Sequence, residues 1–131
     1  MHEHAIRLRG GWVLEVEGRP GAAPLTLPIA WDPTLSGPIR LTRRFGRPAI
    51  DPAQQALSLE LRGVPGLRSL TLDGVALPIP PGEVDAFSVP LPTDTGPRLT
   101  LTLGVDLPPP PRPEIPGGWG AIALVIGPLD P

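Results

Sequence analysis

One arginine stands where an apolar side chain is expected. Ile39, Leu41, Arg43 and Phe45 fall on one face of an alternating stretch, with Arg40, Thr42 and Arg44 on the other. A guanidinium on an inward face is costly unless a partner meets it. Three arrangements would satisfy Arg43. It could form an internal ion pair, with Asp85 or Asp73 as the acid. A bulge could turn it outward. Or it could line an open concave face and meet an anionic or hydroxyl-rich ligand. Arg43, Asp73 and Asp85 are therefore the first candidates for a site.

Aromatic rings are the second source of binding chemistry, because an exposed ring can stack on the C–H face of a pyranose. The chain has three Trp, two Phe and no Tyr. Trp12 shares the phase of Leu14 and Val16 and belongs in the core. Trp31 stands at a strand exit in Ile29-Ala-Trp-Asp-Pro33, where its ring is either exposed or packed. Trp119, in Gly117-Gly-Trp-Gly120, either packs at the entry to the last strand or is exposed. Trp31 and Trp119 join the candidate ligand-binding residues. So few aromatics count against strong glycan binding.

Catalytic and metal chemistry find little support. The two histidines, His2 and His4, sit at an end expected to fray, and two ligands there make a weak metal site. A Ser-His-Asp or Cys-His arrangement would have to borrow one of them, since the chain has no Cys. The 13 acids are spread singly, on the polar phase of strands (Glu15, Glu17, Glu60) or in turns (Asp32, Asp51, Asp94). Solvated faces and caps account for them better than a glycosidase pair does. Gly117–Gly120 follows a proline-rich stretch and precedes a strand, so it is a tight strand entry and not a phosphate-cradling loop. Leu107-Pro-Pro-Pro-Pro-Arg-Pro-Glu-Ile-Pro116 is expected to be polyproline II, as a stiff crossover or as a segment for an aromatic groove. The expectation is no catalysis, no metal site and no cofactor.

The elements that must position these residues are strands. Leu57, Leu59 and Leu61 alternate with Ser58, Glu60 and Arg62, and Leu99, Leu101, Leu103 and Val105 alternate with Arg98, Thr100, Thr102 and Gly104. Similar stretches occupy Ile6–Arg9, Trp12–Glu17, Leu25–Ile29, Ile39–Phe45, Ser69–Asp73 and Phe87–Leu91. Ala121–Ile126 is apolar on both faces and reads as a central strand. Asp73-Gly74, between Leu70/Leu72 and Val75/Leu77, predicts a type I′ hairpin. No window carries a helical stripe free of Pro and Gly. With 22 Pro and 16 Gly in 131 residues, yet 40 % apolar residues, the chain fits many short strands joined by turns. Eight or nine strands so punctuated point to an all-β, two-sheet antiparallel sandwich over residues 5–127, with residues 1–4 and 128–131 as tails.

Three segments read in order resemble a known family. The first is Ile39-Arg-Leu-Thr-Arg-Arg-Phe45 followed by Arg47-Pro48. The second joins Leu59-Glu-Leu-Arg-Gly-Val64, Leu70-Thr-Leu-Asp-Gly-Val75 and Phe87-Ser-Val89. The third is Leu99-Thr-Leu-Thr-Leu103, then the proline-rich connection and Gly117-Gly-Trp-Gly120. The pattern resembles the galactose-binding-like jelly roll, the non-catalytic sugar-binding domain of β-galactosidase and β-glucuronidase type glycoside hydrolases. Where that family has Asn in the hairpin, this chain has Asp73, and no catalytic barrel follows in the sequence. The resemblance implies a fold and a carbohydrate ligand, without hydrolysis. Such domains often hold a structural calcium through loop carbonyls, which these residues neither support nor oppose.

Charge and composition narrow the partners. All 11 basic residues are Arg, which codon bias in a GC-rich genome explains. A net charge of −2 lacks the basic excess of a nucleic-acid footprint. No apolar run spans a membrane, and the first residues lack a secretion-signal pattern, so the default expectation is cytoplasmic. The function expected is a non-catalytic binding module for carbohydrate. The competing reading is a structural or protein-interaction module assembling with itself or another protein through a sheet face or edge.

Overall fold

A computed structural model describes residues 4–30, 35–51, 53–81, 85–92, 96–109, 115 and 117–128. Its strands are β1 (His4–Arg7), β2 (Trp12–Val16), β3 (Ala23–Leu25), β4 (Gly37–Gly46), β5 (Gln55–Arg62), β6 (Leu67–Leu72), β7 (Val75–Ala76), β8 (Ala86–Pro90), β9 (Arg98–Leu107) and β10 (Ala121–Pro128). No helix occurs among the described residues. The strands form two antiparallel sheets, one of four in the order β1-β10-β5-β8 and one of six in the order β3-β2-β4-β9-β6-β7. The expected all-β sandwich is the fold observed.

Alternation decides which side chains enter the core. Along β9, Leu99, Leu101, Leu103, Val105 and Leu107 are buried, while the residues between them face outward. The four-stranded sheet answers with Leu57, Leu59, Leu61, Val89, Ile122 and Leu124, and the inward rows of both sheets make one cluster. Each fully buried Leu contributes about 1.5–3 kcal/mol relative to leaving it in water. Trp12 lies in this core and its indole Nε1 donates to the Leu8 carbonyl at 2.7 Å, so the ring is buried without stranding its donor.

The Asp73-Gly74 hairpin forms as expected. Asp73 has φ +51° and Gly74 has φ +81°, with Leu72 opposite Val75. Its far arm, β7, is a two-residue edge strand and brings the count among the described residues to ten. Ala121–Pro128 is the central strand the composition predicts, paired with β1 on one side and β5 on the other. The outward rows of this sheet are short: Ala5, Val125, Ser58 and Pro90 in one, Arg7, Ala123, Glu60 and Ser88 in the next.

Three segments differ from expectation. The stretch Leu25–Ile29 does not run as one strand: β3 ends at Leu25, and Ile29 makes only an isolated bridge to Trp119. Pro28, with no N–H to give a ladder, lies between the two. His4, expected in a flexible end, opens β1 opposite Ile126, because backbone pairing to a central strand holds it. Pro128, expected in the C-terminal tail, closes β10 opposite Gln55. The centre of the proline-rich crossover, residues 110–114 and 116, lies outside the described residues, as do residues 1–3 and 129–131.

Candidate functional site

Strand phase places Arg43 as the sequence predicts, and its partners are not the ones expected. The β4–β9 register runs without a break from Gly37 to Gly46, so no bulge turns Arg43 outward. Arg43 stands beside Trp12 on β2 and Leu101 on β9, on the inward face. Its Nε donates to the Gly10 carbonyl at 2.6 Å, and its Nη1 donates to the carbonyl of Arg44. The guanidinium therefore clamps the crossing from β1 to β2. Gly11, at φ +80°, is where the turn passes over it, and a Cβ there would lie 3.0 Å from Arg43 Nε. Two carbonyls meet the guanidinium, an arrangement outside the three that the sequence reading offered.

The two candidate acids are elsewhere. Asp73 caps its own hairpin: its Oδ1 accepts from the Thr100 amide at 2.8 Å, and its amide donates to the Thr100 carbonyl at 2.9 Å. Asp85 is exposed just before β8, and its carbonyl accepts from Gly63. An internal Arg43 ion pair with Asp73 or Asp85 is thus corrected to a main-chain clamp. Trp119 is 4 % exposed and exchanges both backbone hydrogen bonds with Ile29, so its ring belongs to the core and offers no stacking face. Trp31 lies outside the described residues. Among the described residues, Arg43, Asp73 and Asp85 are not joined to one another by a hydrogen bond or ion pair.

A surface groove of about 300 Å³ lies at the other end of β2 and β4, lined by Glu15, Val16, Glu17, Arg19, Pro38, Ile39 and Arg40. Two local features build it. The chain turns after β2, where the Arg19 amide donates to the Val16 carbonyl, and the Glu17 amide donates to the Pro38 carbonyl. Across the strands, Glu15 and Arg40 are register partners, and the guanidinium grips the carboxylate twice, at 3.2 and 2.9 Å. Those hydrogen bonds from Arg40 hold the Glu15 carboxyl below its ordinary range, and the same contact raises Arg40. Glu15 is thereby kept an acceptor, the opposite of the raised acid a glycosidase uses. The groove offers carboxylate acceptors, guanidinium donors and an apolar floor.

The sequence reading set Glu15 and Glu17 on solvated faces and did not assemble this groove. Its signal is a cross-strand register, which one-dimensional alternation does not contain. Among the described residues no group of three or more His, Asp or Glu could hold a metal ion. No helix of the described residues is long and apolar enough to cross a membrane.

No protein-family model matches the chain, and no curated protein is similar to it. Solved structures share the fold. An FMN-binding beta-glucuronidase from Facaelibacterium prausnitzii L2-6 superposes with TM-score 0.72 at 18 % identity, over 95 % of this chain and 22 % of that one. A putative beta-galactosidase from Bacteroides fragilis gives TM-score 0.70 at 13 % identity, over 96 % and 23 %. A rhamnosidase from Novosphingobium sp. PP1Y gives 0.64 at 18 %, over 97 % and 15 %. The chain spans less than a quarter of the length of each of these three. At such identities the likeness establishes the fold, and it is the jelly roll that the segment pattern resembles.

Proposed function

We propose that the chain is a non-catalytic carbohydrate-binding module that needs no cofactor. The observation that carries this reading is the match of 95–97 % of the chain to only 15–23 % of three sugar-processing enzymes. A fold that forms so small a share of those chains leaves the bulk of each for the reaction. The groove at Glu15, Glu17, Arg19 and Arg40 supplies the contact set for sugar hydroxyls, which donate to carboxylates and accept from guanidiniums. Pro38 and Val16 give the C–H face of a ring something to rest on.

The reading is tested by screening the purified chain on an array of neutral glycans, then titrating the best binder calorimetrically. Arg40→Met should weaken that binding about tenfold or more, and a panel of aryl glycosides should stay unhydrolysed. Absence of any glycan binding would overturn the ligand class. Turnover that survives repurification and disappears in Glu15→Gln would overturn the non-catalytic part.

A second reading, assembly with another protein or copy, draws on one feature. The outward face of the four-stranded sheet carries a strip of small residues, Ala5, Ala121 and Ala123, beside the charged Arg7, Glu60 and Arg62, and small side chains there let another sheet approach closely. Sedimentation equilibrium of the purified chain distinguishes a dimer from a monomer.

A further inference from the structure

The outward face of the six-stranded sheet divides by charge along the strands. At one end Arg44 stands opposite Thr100, and Arg98 stands opposite Gly46, so the two arginines are diagonal neighbours on adjacent strands. Both are exposed, and among the described residues neither pairs with an acid. Arg47 is held at the same end, its amide on the Pro97 carbonyl and its Nη1 on that of Pro92. Arg43 adds its charge from beneath. Among the described residues the acid beside them is Asp73, across Thr100 from Arg44, which accepts from the Thr100 amide and keeps its negative charge. Glu15 pairs with Arg40, four residues before Arg44 on β4, about 13 Å away at roughly 3.3 Å per residue. That exceeds the Debye length of about 8 Å at physiological salt, so Glu15 is largely screened from these arginines, which outnumber the Asp73 carboxylate beside them.

Next to these arginines lies a row of hydroxyls. Thr42, Thr102 and Thr71 are register partners across β4, β9 and β6, and Thr100 is the next outward residue on β9. Guanidinium forks suit sulfate and carboxylate, and a threonine hydroxyl both donates to and accepts from a sugar hydroxyl. Among the described residues no aromatic that would stack bases lies on this face: Trp12, Phe45 and Trp119 are buried in the core, and Phe87 packs against it from the other sheet.

We propose that this end of the six-stranded sheet binds an acidic polysaccharide, with Arg44 and Arg98 on its anionic groups and Thr42, Thr100 and Thr102 on its hydroxyls. The assignment rests on the carbohydrate reading above and adds a second surface, separate from the groove, that selects for negative charge.

The test uses one polymer backbone in three forms, namely dextran sulfate, carboxymethyl-dextran and uncharged dextran, with inorganic sulfate and a 20-nucleotide oligothymidine as controls. The chain should bind a charged dextran at least tenfold more tightly than uncharged dextran, and more weakly as salt rises. Comparing the two charged forms shows which anion the arginines prefer. The double variant Arg44→Ser/Arg98→Ser should lose at least tenfold, and Thr102→Val about threefold. Arg7→Ser/Arg62→Ser, on the outward face of the other sheet, should change nothing. Equal loss in that control would overturn the site, as would charged dextrans binding no better than uncharged dextran or inorganic sulfate. Oligothymidine binding as tightly as the charged dextrans would overturn the polysaccharide assignment. Arg19→Met, in the turn after β2 and off the sheet, probes the groove alone, so loss of neutral-glycan binding there is read separately from this face. An unchanged urea midpoint confirms that each variant is folded.

Discussion

Removing the guanidinium of Arg43 while keeping its aliphatic stem would leave the Gly10 carbonyl without its charged donor. Because Gly10 is exposed and water can take the donor's place, Arg43→Met should cost about 0.5–1.5 kcal/mol. The urea midpoint measures it. If the clamp is the main chain, a double-mutant cycle with Asp85→Asn should show coupling below about 0.5 kcal/mol. A buried ion pair would instead show coupling of several kcal/mol. The sequence placed this side chain on the correct face, because period-two alternation survives along all of β4. Its partner was not legible. The acceptor comes from a turn more than 30 residues earlier, and backbone carbonyls leave no mark in a sequence. Trp119 was half legible in the same way: its strand-entry position was clear, while its burial depends on Ile29 crossing to meet it.

At the scale of elements, the hairpin joining β6 to β7 rests on one side chain with two tasks. Asp73 adopts a positive φ and its carboxylate caps the Thr100 amide, tying the turn to the neighbouring β9. Asn tolerates the left-handed region and keeps an acceptor oxygen, whereas Ala does neither. Asp73→Asn should thus stay within about 0.5 kcal/mol of the parent, while Asp73→Ala should lose about 1–2 kcal/mol. Chemical denaturation of both variants checks the pair of values, and equal losses would show that the carboxylate's charge, not its geometry, matters. Elements of this kind were legible because an Asp-Gly pair between alternating apolar residues has a mechanism behind it. Broken strands such as β3 were harder, since Pro24 and Pro28 permit extended backbone but do not say where ladder pairing stops. Register was the deeper loss. Glu15 and Arg40 each read as a solvated charge, and only their pairing across β2 and β4 makes one wall of the groove.

At the scale of the whole molecule, both sheets depend on a single interior. Leu59 on β5 and Leu103 on β9 come from different sheets, and each is fully buried at 0 % exposure in the same cluster. Neither sheet has a second apolar face of comparable size, so neither can hold its inward row out of water alone. The 22 prolines also restrict the unfolded chain, which lowers the entropy that folding must overcome. Leu59→Ala and Leu103→Ala should each cost about 2–5 kcal/mol, the transfer and cavity terms together. That is a large share of the roughly 5–15 kcal/mol typical of a whole domain. More tellingly, both substitutions should move one transition. In a Trp31→Phe/Trp119→Phe background Trp12 fluorescence reports on the six-stranded sheet, and far-UV circular dichroism, with a β spectrum and negligible helix, reports on both. The two signals should melt together in the parent and shift together in either variant. If Leu59→Ala lowers the circular dichroism midpoint while Trp12 keeps its own, the sheets unfold independently. The sandwich would then be two units in contact, and the groove and the arginine face would stand on a sheet that holds its shape without the other.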